Sequence, residues 1–176
     1  MENRKLLKKV LPYLVIVVLA AIARIIPHAP NFAPIAGLAI FTGYHFKNRY
    51  TWAVPIAAMV VSDFIIGFHS TVPFVYASFI VMSLIGTYMK SKNASSLIFV
   101  SMVSSVLFFL VTNFGVWAVG SMYVKNMSGL LQSYTMGLPF FRNTVLGDLF
   151  YTFSFFYGFE YLRLLADRKN LLGKPA

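Results

Sequence analysis

Six apolar stretches, roughly 10–26, 34–46, 52–68, 72–89, 96–119 and 139–162, alternate along the chain with short polar or proline-rich connections. Each run is continuous instead of alternating with period two, which argues for helices and against strands. A helix rises about 1.5 Å per residue, and about 20 residues cross the hydrocarbon of a bilayer. The second stretch is short for that and needs its flanks. The pattern predicts an all-α integral membrane protein, a six-transmembrane-helix bundle that forms a single transmembrane domain over residues 1–176.

Composition supports the membrane reading. The chain is 59% hydrophobic and 11% charged, against about 45–50% and about 25% for soluble domains. Its net charge of +10 does not point to nucleic acid, because the basic residues cluster at the ends of apolar runs and set orientation. With the N-terminus inside, Arg4, Lys5, Lys8, Lys9, Lys47, Arg49, Lys90, Lys92, Arg163, Arg168, Lys169 and Lys174 fall on the inner side. Only Arg24, Lys125 and Arg142 fall outside. Both termini are therefore predicted inside, with lipid as the surrounding partner. The segment Arg4 to Lys9 plus the run ending Ala21-Ile22-Ala23 also has the layout of a cleavable signal peptide, whose removal would leave five helices in the same orientation. Continuation through Arg24-Ile25-Ile26 fits a retained first helix better.

The outer side is the elaborated one. Pro27-His28-Ala29-Pro30-Asn31-Phe32-Ala33-Pro34 contains three prolines and is expected to be stiff and extended. Between Gly120 and Leu138, Leu130, Leu131 and Tyr134 stand at helical spacing and predict a short amphipathic helix over the outer face.

The costly polar groups share this side. Asp63 lies near the outer end of the third stretch and Asp148 in the outer part of the sixth. Asn113 lies in the outer third of the fifth, with Trp117 one turn further out. Arg24, His28, Asn31, His69, Arg142 and Asn143 adjoin them at helix ends and outer loops. A carboxylate at the centre of a membrane helix costs about 2.5–3.5 kcal/mol, so both carboxylates are expected to face a polar pocket open to the outside. The bland alternative pairs Arg24 and Arg142 with Asp63 and Asp148 purely to hold helices together. His45 and Glu160 sit near the inner surface beside basic residues and read as solvated.

Several chemistries lack their parts. No cysteine is present, so there is no disulfide framework or thiolate metal site. No phosphate loop, HExxH or GxSxG motif appears, and three scattered histidines make a weak metal signal. The chain is expected not to be an enzyme and to need no cofactor. A membrane enzyme using Asp63, Asp148 and His69 at the outer face, or a structural accessory subunit, stays open as an alternative.

Four blocks resemble one bacterial family of small membrane transport proteins. They are Arg24-Ile25-Ile26-Pro27-His28-Ala29-Pro30-Asn31-Phe32, Ser62-Asp63-Phe64-Ile65-Ile66-Gly67-Phe68-His69, Thr112-Asn113-Phe114-Gly115-Val116-Trp117 and the run from Pro139 to Tyr151. That family is similar, more distantly, to the substrate-binding S components of energy-coupling factor (ECF) vitamin transporters. The resemblance implies six helices in the bacterial cytoplasmic membrane and a substrate pocket near the outer face, capped by the loop between helices 1 and 2. It implies as substrate-binding Arg24, His28, Asn31, Asp63, His69, Asn113, Trp117, Arg142, Asn143 and Asp148.

One departure bears on partners. S components dock their energising module through small residues spaced by four on the first helix, whereas Val10 to Leu19 contains none. Ala33, Ala36 and Ala39, or Ala53 and Ala57, offer close-packing faces instead. Docking to an ECF-type module and solitary transport both stay open. The resulting expectation is uptake of a small, vitamin-like solute, neutral or zwitterionic with an apolar body. It would bond to Asn113, Arg142 and Asp148, stack on Trp117, and be covered by the loop carrying His28 and Asn31.

Overall fold

The computed structural model describes residues 15–48 and 50–168. Arg4 to Lys9, the start of the first apolar stretch, Arg49, Lys169 and Lys174 lie outside the described residues, and with them part of the charge pattern that sets orientation. The described residues form six helices and no strands: α1 Val15–Ile25, α2 Ile35–Phe46, α3 Ala53–Ile66, α4 Val72–Tyr88, α5 Ala94–Val119 and α6 Met127–Arg168.

The helix ends follow local chemistry. Asn93 caps α5, its side chain accepting from the Ser96 amide at 2.9 Å, and Asn126 does the same for α6 through the Gly129 amide. Pro73 stands in the first turn of α4, where no amide donor is needed. Gly67 ends α3 at φ 105°, a conformation that a side chain would strain.

The bundle is organised around α2. Every residue from Ile35 to Gly43 is buried, as befits a helix that is apolar on all sides. It packs most extensively on α4, then on α6 and α3. Two of these crossings bring backbones into contact. A Cβ on Gly43 would run into the Ser83 carbonyl, and one on Gly37 would lie 2.7 Å from the Thr152 amide nitrogen. The remaining helices present one face inward. For α1 it is Val17, Ala20 and Ala21; for α3, Pro55, Ala58, Met59, Ser62 and Asp63.

Two features differ from the sequence expectation. The separate outer helix and the sixth stretch are a single 42-residue helix, α6, with Pro139 inside it. Pro139 removes one amide donor, but Thr135, whose carbonyl loses that donor, lies with it on an exposed face. Next, among the described residues only α5 is both long and apolar enough to cross a membrane. At about 1.5 Å per residue, α2 and α3 measure about 18 and 21 Å, short of a hydrocarbon core of about 30 Å. The helix α6 has the length but not the apolarity.

Candidate functional site

At one end of the bundle the C-terminal ends of α1, α3 and α5 meet the N-terminal ends of α2 and α4 and the first half of α6. Between them lies a cavity of about 640 Å³. Its apolar wall includes Met59, Val75, Phe79, Phe108, Phe109 and Phe140, with Phe79 and Phe108 stacked at 5.4 Å between centroids. Its polar lining includes Arg24, His28, Asn31, His69, Asn113 and Asp148, together with Thr112, Tyr123, Ser133 and Thr144. Six of the ten residues singled out in the sequence therefore share one cavity.

Asp63 stands behind this lining, fully buried. Its two oxygens are both engaged: Arg24 Nη1 donates to Oδ1 at 2.5 Å and the Tyr76 hydroxyl donates to Oδ2 at 2.8 Å. Arg24 Nη1 also reaches Ser62 Oγ at 2.5 Å. The pair joins α1, α3 and α4, and the guanidinium that faces the cavity is already neutralised.

Asp148 is 2% exposed. Among the described residues its hydrogen-bond partner is Ser105 on α5, whose Oγ lies 2.7 Å from Oδ2. No basic side chain pairs with it among them. Of the two pairings in the bland alternative, Arg24 with Asp63 forms and Arg142 with Asp148 does not. Arg142 is exposed and lies outside the cavity lining. The reason is rotational, since six residues at about 100° each put it about 120° around α6 from Asp148. Asn143 is half-buried and also outside the lining.

Trp117, like Asp63, Arg142 and Asn143, is outside the lining. Its indole N–H donates to the Val124 carbonyl at 3.0 Å, and Lys125 bonds to its main-chain oxygen and lies over its ring. It ties the turn after α5 to that helix instead of presenting a stacking face to the cavity. Asn113 does face the cavity. Its Nδ2 donates to the Phe109 carbonyl at 2.8 Å, and its amide lies against Gly137, where any side chain would displace it.

The loop between α1 and α2 is not extended. Phe32 N–H donates to the Ala29 carbonyl at 2.9 Å, closing a turn with Pro30 and Asn31 at its centre. Asn31 adopts φ 64°, which asparagine tolerates where most residues do not. Phe32 then seats on α6, 5.8 Å from the Phe150 ring and 5.5 Å from Tyr151, and a Cβ on Gly147 would lie 3.0 Å from its Cα, a tight fit that the turn would have to yield to accommodate. His28 Nδ1 is 2.6 Å from the Ile26 carbonyl oxygen, and His69 Nδ1 is 2.7 Å from Thr71 Oγ1. Neither joins a cluster able to hold a transition metal, and none exists among the described residues.

Participants not read from the sequence include Tyr76, Ser105 and Phe32. The spacing of Ser101 and Ser105 on α5, matched by Asp148 and Thr152 on α6, was the available signal for Ser105. At the opposite end of the bundle, His45 is packed among the rings of Phe41, Tyr44, Phe156 and Phe159 instead of being solvated. Glu160 pairs with Lys92 at 2.5 Å. No curated protein sequence and no solved structure matches the chain. Residues 4–170 match a family of unknown function, DUF6580, and the chain belongs to that family.

Proposed function

We propose that this protein is a multi-pass membrane protein of the bacterial cytoplasmic membrane that binds a small organic solute at its outer end and takes it up. The observation that carries the reading is the cavity itself. It gathers His28, Asn31, His69, Asn113 and Asp148 from four separate parts of the chain onto an aromatic-walled space of about 640 Å³. That volume suits a vitamin-sized molecule. Support for several membrane crossings comes from the outside of the bundle. Only 28% of the apolar window of α5 is buried, and Ile98, Met102, Val106, Leu110 and Phe114 form an exposed apolar stripe along it. A surface of that kind suits lipid and is ill suited to water.

In this reading the solute places its apolar body against Phe79, Phe108, Phe109 and Phe140. Its polar end bonds to Asn113 and to the loop residues His28 and Asn31. Arg24 is committed to Asp63, so among the described residues the pocket offers no free arginine or lysine for a polyanion, and a neutral or zwitterionic solute fits best. Arg24 and Asp63 then belong to the frame of the pocket. Likeness to ECF S components stays part of the proposal. Ala36 and Ala39 are buried inside the bundle, leaving Ala53 and Ala57 of α3 exposed as the close-packing face for an energising module.

The test is a thermal-shift screen of the purified protein against vitamins, nucleobases and amino acids, followed by uptake into proteoliposomes. A compound that raises the melting temperature of wild type and not of Asn113→Ala or Phe109→Ala identifies the solute. A shift that survives both substitutions would move binding away from this cavity.

A further inference from the structure

Helical serines and threonines ordinarily return their hydroxyl to the carbonyl one turn back. Ser62, Ser78, Ser83, Thr87, Thr112 and Thr144 all do so here. Ser101, Ser104 and Thr152 do not. All three are fully buried and have no hydrogen-bond partner among the described residues, and Ser101 and Thr152 share one level of the bundle. An orphaned buried hydroxyl costs about 1–3 kcal/mol, so two at one place call for an occupant.

They are at one place because of the helix register. Ser105 meets Asp148 at 2.7 Å, and contacts from Ser133 to Asn113 and from Tyr134 to Leu110 fix α5 and α6 as antiparallel. Ser101 lies one turn before Ser105, and Thr152 lies one turn after Asp148. Both steps run toward the same end, so the two free hydroxyls stand at one level, just beneath the carboxylate on the cavity floor. At that level α2 contributes Gly37, against whose bare Cα the backbone of Tyr151 and Thr152 packs directly.

The charge of Asp148 selects the occupant. A carboxylate buried in an apolar bundle is neutralised by a compensating positive charge or by a proton, and no basic side chain supplies that charge among the described residues. Every available donor is a hard oxygen, which favours an alkali or alkaline-earth ion over a transition metal. One carboxylate balances one positive charge, whereas calcium and magnesium sites draw on more acidic ligands. We infer that Asp148, Ser105, Ser101 and Thr152 form a sodium-ion site beneath the cavity. The ion neutralises the floor, so that a neutral or zwitterionic solute can rest above it. The site itself does not depend on the uptake reading.

The test uses the purified protein in detergent without any solute. Sodium chloride replaces choline chloride at constant ionic strength while thermal unfolding is followed, with potassium as the comparison ion. A saturable rise in melting temperature is expected for sodium. The rise should vanish in Asp148→Asn, and its midpoint should move to at least tenfold higher sodium in Thr152→Val, which keeps the side-chain shape. Because Thr152→Val preserves packing, a folding failure of Asp148→Asn would not leave the question open. The inference is overturned by equal effects of sodium and choline, by an unaltered sodium response in Thr152→Val, or by stabilisation that follows pH alone and marks a proton as the neutralising charge. A sodium response without any solute hit would leave this site standing while the uptake reading fell.

Discussion

Asp63 and Arg24, 39 positions apart in sequence, meet through a 2.5 Å ion pair that closes the end of α1 onto the last turn of α3. Asp63 is fully buried, and Tyr76 of α4 occupies its second oxygen. Removing one partner leaves an uncompensated buried charge, which costs about 3–5 kcal/mol. Asp63→Ala and Arg24→Ala should each lower unfolding stability by about that amount, and Tyr76→Phe by about 1.5–3 kcal/mol, the range for a hydrogen bond to a charged group. Replacing both charges by Arg24→Met with Asp63→Leu should recover most of the loss, because an apolar pair of similar volume is often as stable. Unfolding of the four variants in detergent checks this. A double variant as unstable as the singles would show that these positions act through something other than the pair.

The crossing of α2 and α4 is built on glycine. A Cβ on Gly86 would lie 3.0 Å from the Ile40 Cα and closer still to its carbonyl oxygen. Backbone cannot yield as a side-chain tip can, so Gly86→Ala should cost at least the 1–3 kcal/mol typical of overpacking, that is about 2 kcal/mol or more. Gly158 on α6 has nothing within 4 Å of such a Cβ. Gly158→Ala should therefore be neutral, or stabilising by about 0.5–1 kcal/mol through helix propensity. Comparing the melting temperatures of the two variants tests the close approach directly.

What could be read from the sequence was depth along the helices; what could not was rotation about them. Asp63, Asn113 and Asp148 were assigned to one end, and Asn113 and Asp148 do line one cavity there. Arg142 and Asn143 share that depth at the outer start of the sixth stretch, yet they lie outside the cavity lining on other faces of α6. The period that betrays a core face is nearly absent in α2, α4 and α5, where apolar residues occur on every side. Hydroxyls are common in such helices, so the spacing of Ser101 and Ser105 signals something only when set against the same spacing of Asp148 and Thr152 on α6 opposite. The loop from Pro27 to Pro34 was expected to be extended because proline restrains its neighbours, and the positive φ of Asn31 turns it instead.

Orientation can be tested without background, because the chain has no cysteine. His69 lies at the cavity end and Ser91 in the connection at the opposite end. In intact spheroplasts, an impermeant maleimide should label His69→Cys at once. Ser91→Cys should react only after the membrane is opened. Labelling of both from the same side would refute alternating crossings with the cavity facing outward.

The turn between α1 and α2 is held to α6 mainly by one ring. Phe32 contacts Phe150 and Tyr151, and its Cα rests on the bare surface of Gly147. Pro30 and Asn31, which line the cavity, are carried by that anchor. Phe32 is only half-buried, so Phe32→Ala should change the melting temperature little. It should free the turn to open, raising the dissociation rate of the bound solute about tenfold, equivalent to about 1.4 kcal/mol, while association stays nearly constant. Gly147→Leu should displace the same turn from the other side and give the same kinetic signature. Stopped-flow release of the solute identified by the thermal screen measures both. Unchanged dissociation in the two variants would mean that the turn lies beside the pocket and does not cover it. A loss of association instead would mean that Phe32 shapes the entrance and that closure is governed by the segment between α3 and α4, where His69 and Thr71 also reach the cavity.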